Sequence, residues 1–166
     1  MPPLAPALTW RAYQPLDLPA WVDLLNLNAE LGRWDESRLR HEAATLAPAT
    51  QRFVFDGDRM IAGAGAYDRT VEGIAAWEVG WVARHPDYRG YGLGEQIVAA
   101  ATTAALELPK RPVFLFTDDH RLPGIRVYLR LGFEPDLGAH PSYPERWRKI
   151  HAALAEQSKP ASASAA

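Results

Sequence analysis

Residues 79–95 read Val-Gly-Trp-Val-Ala-Arg-His-Pro-Asp-Tyr-Arg-Gly-Tyr-Gly-Leu-Gly-Glu, an apolar run, a polar turn, and glycines at positions 90, 92 and 94 ahead of a second apolar stretch. This is the pattern of a strand running into a glycine-spaced loop that opens a helix. Glycines at alternate positions let the chain turn with its N–H groups pointing inward. The helix adds unpaired N-terminal donors and the positive end of its dipole. The product is a cradle for a pyrophosphate, and any fold of this chain must keep strand, loop and helix in line to form it.

Spacing separates the nucleotide sites that use such a cradle. A triphosphate loop needs Gly-x-x-x-x-Gly-Lys-Ser/Thr, because the lysine and hydroxyl serve the terminal phosphates and magnesium. Here Glu95-Gln96 stands in that place. A dinucleotide fingerprint needs Gly-x-Gly-x-x-Gly after the first strand, with an acidic residue about 20 positions on. This chain has Gly-x-Gly-x-Gly in mid-sequence. Neither reading fits.

Arg89-Gly90-Tyr91-Gly92-Leu93-Gly94 resembles the Arg/Gln-x-x-Gly-x-Gly/Ala signature of the GCN5-related N-acetyltransferase (GNAT) superfamily. The preceding strand, the His85-Pro86-Asp87-Tyr88-Arg89-Gly90 approach and the later Tyr128-Leu129-Arg130-Leu131-Gly132-Phe133 also look like that family. The resemblance runs from about residue 8 to 136. It implies acetyl coenzyme A as co-substrate, with the main-chain donors of Arg89, Gly90, Tyr91, Gly92, Leu93 and Gly94 on the pyrophosphate. The Arg89 side chain offers charge to phosphate. The resemblance further implies that backbone around Val82, Ala83 and Arg84 pairs with the pantetheine arm and donates to the thioester oxygen. Arg84 stands where the family often has valine, and its side chain reads equally as solvated or as a phosphate contact.

The rest of the chain is consistent with one α/β domain. Hairpin, capping and periodicity signals predict a strand over Leu8–Tyr13 and a helix capped by Asp17 through about Glu30, with Leu18, Trp21, Leu24 and Leu25 on one face. A second helix follows over Glu36–Leu46. Strands over Arg52–Phe55 and Arg59–Tyr67 join through Asp56-Gly57-Asp58, and a long strand covers Ile74–Ala83. A helix over Glu95–Leu108 stops at Pro109, and the apolar run Pro112–Thr117 reads as an interior strand. A helix over Pro123–Leu131 ends with Gly132 as its C′ residue, and Phe133 begins a last short strand. The order β-α-α-β-β-β-α-β-α-β gives a mixed, largely antiparallel central sheet with helices on both faces. That is the acetyltransferase-like order. Where the family usually closes with two strands, Pro135, Pro141 and Pro144 interrupt the chain and Glu145–Gln157 looks helical, which points to a rebuilt acceptor side. Residues 1–157 form the predicted domain and 158–166 a flexible tail.

Composition narrows the function classes. The 166 residues include no cysteine, which excludes disulfides, thiolate zinc sites and a cysteine nucleophile. A net charge of −2 without a block of like charges disfavours nucleic acid. No apolar run approaches a membrane span and the N-terminus lacks a signal-like pattern, so the expectation is a soluble, cytoplasmic protein without a membrane partner. The five histidines show no metal-ligand spacing, and there is no Gly-x-Ser-x-Gly elbow. A homodimer is the prior for any such chain, and its six tryptophans serve equally as interface or core residues.

Acetyl transfer to an amine needs a deprotonated amine and a proton for the departing thiolate. Tyr128, four residues before Gly132-Phe133, matches the tyrosine that protonates the thiolate in many family members; the alternative is a core tyrosine. Glu78 alternates with Trp77 and Val79 on a strand of a sheet covered on both faces. Two readings stay open for it: a base for the substrate ammonium, or a buried carboxylate paired to Arg or Lys. Arg121 stands seven residues before Tyr128, where many members have asparagine; pairing with Asp118 and Asp119 is favoured over coenzyme A phosphate. Metal is not expected. The resemblance places the acceptor cleft near Trp21, Asn28, Glu30, Trp34, Asp35 and Glu36, whose acidic members suit a cationic amine of a small molecule or peptide. The leading reading is therefore direct acetyl transfer from acetyl coenzyme A to a primary amine in a ternary complex. Its alternative is a non-catalytic acyl coenzyme A binding or regulatory module, and a weaker variant is transfer of a longer acyl chain.

Overall fold

The computed structural model describes residues 7–28, 32–109 and 112–157. The tail at 158–166 and Glu30 lie outside the described residues. Two compact units, Met1–Phe116 and Thr117–Ala166, are each considered by themselves.

The first unit is a sheet of five strands in the order β1-β2-β3-β4-β5: β1 Leu8–Arg11, β2 Arg52–Asp56, β3 Arg59–Val71, β4 Ile74–Arg84 and β5 Val113–Phe114. The first three pairings are antiparallel and β4–β5 is parallel, so the mixed, largely antiparallel sheet is present. Both long hairpins turn tightly. The β3–β4 turn has φ 50° at Glu72 and 81° at Gly73, the positive-φ pair of a primed turn that suits strand twist.

Helices α1 (Leu18–Asn26) and α2 (Glu36–Ala43) supply one layer. Leu18, Trp21, Leu24 and Leu25 face the core as their spacing predicts, and they pack with Leu39, Phe53, Phe55, Met60 and Tyr67. No residue of α3 (Leu93–Leu106) belongs to that cluster. This helix instead lies on β2, β3 and β4 from the other side, burying Leu93, Ile97, Val98, Ala101 and Ala105. Alternation along β2 explains the division: Phe53 and Phe55 serve the first layer and Val54 the other face. Burying each large apolar side chain contributes about 1.5–3 kcal/mol.

Several expected boundaries move. Asp17 does not cap α1 through its side chain; the carboxylate accepts from Arg11 Nη1 and Nη2 at 2.9 and 2.7 Å and from the Gln14 N–H at 2.7 Å. The helix cap is instead outcompeted by a two-nitrogen ion pair. The run from Pro112 is not an interior strand. Only Val113 and Phe114 pair, at the sheet edge, and the register ends at Glu78↔Phe114. Beyond that point β4 carries a bulge, because Gly63 faces Ala83 while Gly65 faces Gly80, leaving Trp81 and Val82 against Ala64 alone. A bulged strand bends; among the described residues Leu115 and Phe116 have no ladder partner, and Phe116 is exposed.

In the second unit, α4 (Leu122–Arg130) starts with a proline in its first turn and is followed by Gly132 at φ 87°. The expected strand at Phe133 is absent among the described residues; Phe133 N–H donates to Tyr128 O at 3.1 Å, closing the helix end instead. α5 (Tyr143–Gln157) packs on α4, with Arg126 Nη2 donating to Leu154 O at 3.1 Å. Among the described residues no helix is long and apolar enough to cross a membrane.

Candidate active site

The β4 bulge is where the site begins. Trp81 adopts φ 53°, a left-handed conformation rare for a bulky side chain and costly unless its surroundings enforce it. Trp34 meets its ring edge-on at 4.4 Å and Tyr67 at 5.4 Å, which supplies that enforcement. Because β5 pairs only as far as Glu78, the stretch from Val79 through Val82, Ala83 and Arg84 borders no strand on that side among the described residues. An extended ligand can add to such an edge through main-chain hydrogen bonds.

The chain then passes through a short helical turn, Pro86–Tyr88, into the glycines. Gly90 and Gly92 have φ of 86° and 70°, which only glycine adopts readily. Gly92 is the N-cap of α3 and offers no side-chain cap, so the first-turn amides stay uncapped. A Cβ on Gly90 or Gly94 would meet nothing within 4 Å, and one on Gly92 would meet only Gln96 Nε2 at 3.7 Å. These three positions are therefore not crowded by other protein atoms. This is the form expected for Arg89, Gly90, Tyr91, Gly92, Leu93 and Gly94 as main-chain donors to a diphosphate.

Two guanidinium groups stand close by. Arg84 Nη1 donates to His85 O at 3.1 Å. Its pKa is pushed down by burial and then by the charge of Arg89. No carboxylate pairs with either arginine among the described residues. Mutually repelling cations beside uncapped amides suit an anion.

The turn ahead of the glycines is braced from the β2–β3 hairpin. The Tyr88 hydroxyl donates to the Asp56 carboxylate, which raises the phenol's pKa. Arg59 Nη2 donates to His85 Nε2 at 2.6 Å. His85 itself is buried, and Tyr88 meets its ring edge-on. Asp56 and Arg59 escaped the sequence reading. Their hairpin is legible, but nothing in it says which loop it will touch.

Glu78 lies in β4 opposite Tyr67, and its Oε2 accepts from Arg69 Nε at 2.8 Å. The paired-carboxylate reading is thus the arrangement in this structure, although only one oxygen is engaged. Tyr128, in the second unit, has its hydroxyl beside Gly124 and its ring 6.2 Å from Phe133. Burial pushes this phenol's pKa up, with Arg121 opposing. Arg121 pairs with Asp118 at 3.0 Å, and Asp119 takes Arg146 through two bonds of 2.7 and 2.8 Å.

The residues expected around the acceptor mostly have structural duties. Trp21 and Trp34 are 2% exposed core residues. Asn28 Nδ2 donates to Leu24 O at 2.8 Å, Asp35 caps α2 by accepting from Arg38 N–H at 2.9 Å, and Glu36 pairs with Arg40 at 3.0 Å.

Residues 10–133 match the model of the acetyltransferase (GNAT) family. The chain belongs to that family. No curated protein sequence matches it. Among solved structures it resembles Naa50 of Arabidopsis thaliana in complex with the bisubstrate analogue CoA-Ac-MVNAL, at 15% identity and TM-score 0.63 over 77% of this chain and 83% of that one. It is also similar to a ribosomal-protein-alanine N-acetyltransferase from Brucella melitensis, at 18% identity and TM-score 0.63 over 81% and 96% of the two chains. An aminoglycoside acetyltransferase from an uncultured soil sample, in complex with trehalose, aligns at 14% identity and TM-score 0.63 over 81% and 93%. At such identities the likeness is one of fold. Acetyl transfer is the activity of the family, and acetyl coenzyme A is the co-substrate that the open loop of this GNAT member fits.

Proposed function

We propose that this chain transfers the acetyl group of acetyl coenzyme A directly to a primary amine in a ternary complex. The observation that carries the reading is the glycine loop, whose glycines are uncrowded by other protein atoms and whose helix amides have no side-chain cap. Main-chain donors from Arg89 to Gly94 hold the pyrophosphate, Arg89 adds charge, and the free edge of β4 from Val82 to Arg84 takes the pantetheine arm. Holding the thioester at the bulge makes the reaction effectively unimolecular in the bound complex. The lack of cysteine supports direct transfer over an acyl-enzyme.

Glu78 is assigned the proton of the acceptor ammonium. One of its oxygens is free of Arg69, which leaves an acceptor site on the carboxylate. Tyr128 is assigned the proton for the departing thiolate, an assignment that rests on its place in the family-like run before Gly132-Phe133. The acceptor is a primary amine of a small molecule or a peptide. The similar folds include one bound to a peptide-containing analogue and one named for aminoglycosides, so the fold itself does not choose.

The Arg69–Glu78 ion pair favours a second reading, a non-catalytic acyl coenzyme A binding or regulatory module, because a paired carboxylate needs no catalytic role. The two separate in two steps. Calorimetric titration with acetyl coenzyme A should show binding that Gly92→Glu abolishes, and thiol release with a panel of amines should then distinguish enzyme from binder. A folded native chain that does not bind acetyl coenzyme A would sink both readings.

A further inference from the structure

An arginine and a carboxylate can close on each other as a two-bond fork, and three pairs in this protein do so. Arg11 meets Asp17 at 2.9 and 2.7 Å, Arg146 meets Asp119 at 2.8 and 2.7 Å, and Arg148 meets Glu145 at 2.9 and 2.8 Å. Arg69 and Glu78 do not. Their pair rests on one bond, from Nε to Oε2 at 2.8 Å, while Nη1 donates to Thr45 Oγ1 at 3.1 Å. Arg69 Nη2 and Glu78 Oε1 are left without a partner among the described residues, and neither atom is enclosed. The two side chains are 31% and 21% exposed, so a small molecule can reach both.

The open pair is held in place from below and from the side. Arg69 Cζ lies 5.5 Å from the centre of the Tyr67 ring, and Tyr67 is the direct partner of Glu78 in the β3–β4 ladder. A guanidinium already fixed by an aromatic ring, a carboxylate and a hydroxyl loses little freedom when a ligand arrives. Alternation along β4 puts Ala76 and Gly80 on the same face as Glu78, so no bulky side chain of that strand flanks the carboxylate. On the other side of β4, the ladder partner of Glu78 is Phe114 in β5. Paired residues of a pleated sheet project from the same face. The Phe114 ring meets Phe116 edge-on at 5.3 Å, and Phe116 is 73% exposed. One free donor, one free acceptor and two aromatic rings thus share one face of the first unit.

We propose that the acceptor is an α-amino acid with a large apolar side chain: its carboxylate takes Arg69 Nη2, its ammonium meets Glu78 Oε1, and its side chain lies on Phe114 and Phe116. The inference names the acceptor class of the acetyl transfer proposed above and rests on that reading. An α-amino acid carries both charges on one carbon, the combination that a free donor and a free acceptor within one ion pair can engage together. A polyamine or an aminoglycoside brings cations alone, which Glu78 attracts and Arg69 repels. A peptide α-amine has an amide where the carboxylate would be and leaves the guanidinium unmatched. Arg69 is then the residue that selects the acceptor, by a contact outside the chemical step.

Thiol release from acetyl coenzyme A tests this with L-phenylalanine, L-methionine, L-leucine and L-tryptophan, each beside its amide and its decarboxylated amine. Kanamycin, spermidine and a pentapeptide with a free α-amine complete the set. At least one of the four amino acids should show a kcat/KM about tenfold or more above its amide and its amine, the worth of a hydrogen bond between charged groups. Arg69→Gln should narrow that preference to within about threefold, with the calorimetric Kd for acetyl coenzyme A within about twofold. Arg69→Lys, which keeps the charge without the planar fork, should retain part of it. Phe116→Ala should raise the amino-acid KM about fivefold. An amide or amine used as fast as its amino acid overturns the inference, and this outcome needs no variant to fold. A loss in Arg69→Gln shared equally by amino acid and amide overturns it too. If the native chain acetylates kanamycin, spermidine or the pentapeptide and none of the four amino acids, acetyl transfer stands and this inference alone falls. A chain that acetylates no probe also overturns it, and one that fails to bind acetyl coenzyme A as well takes the proposed transfer with it.

Discussion

The loop from Arg89 to Gly94 and the face around Glu78 are built in opposite ways. The loop is built from consecutive residues and main-chain amides, and its glycines are uncrowded by other protein atoms. The Glu78 face draws Tyr67 and Arg69 from β3, Glu78 and Trp81 from β4, and Trp34 from the approach to α2. Backbone chemistry recognises a diphosphate whatever the rest of the molecule does. Side-chain chemistry for an acceptor needs strands in register first. The difference teaches that the loop proposed for the co-substrate is a local device, whereas the chemistry proposed for the acceptor is distributed over the fold.

Gly92→Glu should produce the largest effect. The new carboxylate meets both a strained φ of 70° and the diphosphate, so acetyl coenzyme A affinity should fall at least about 100-fold by calorimetry. Glu78→Gln should act on the other region, lowering kcat/KM for an amine by about 100-fold, within the range for a general base, with coenzyme A binding unchanged. A mutation that moved both constants equally would erase the contrast between the two regions.

The next effects sharpen it. Tyr88→Phe removes the bond to Asp56 that braces the turn before the loop. Coenzyme A should bind about five- to tenfold more weakly, with the acceptor KM unchanged. Arg84→Val removes one of two neighbouring cations that have no carboxylate partner among the described residues. The expected result is about threefold weaker binding and a shallower salt dependence, as for loss of a partly exposed charge contact. Equal salt dependence in both proteins would return Arg84 to solvent.

The smallest effect lies away from both regions. Burial pushes the Asp17 carboxyl up, but Arg11 and the Gln14 N–H more than offset this, leaving its pKa below the ordinary value. A depressed folded-state pKa contributes stability above the unfolded value, and that stability is lost as pH falls through the folded value. Asp17→Asn should therefore cost about 1 kcal/mol at neutral pH and flatten the acid limb of the stability profile. Denaturant unfolding at several pH values checks this; an unchanged acid limb would count against the pairing.

How far the sequence could be read follows from how each part is held together. The glycine loop, both hairpins and the apolar stripe of α1 were legible because each depends on neighbours a few positions away. The run from Pro112 was not, since its composition is that of an interior strand while its pairing is limited by a bulge in β4. Asp17 was misread because Arg11, six residues earlier, competes for the carboxylate the helix end would have used. For Glu78 the pattern left base and ion pair open, and the partner Arg69 is visible only once β3 and β4 are in register.

Local spacing alone thus determined the glycine loop and the element order through α4, because glycine conformations and hydrophobic periods are properties of short stretches. Tertiary structure decided which residues brace that loop, which oxygen of Glu78 is free, and that Tyr67 stands opposite it. Those facts depend on strand register and on a one-residue bulge, and a shift of one position would send every one of those side chains to the other face.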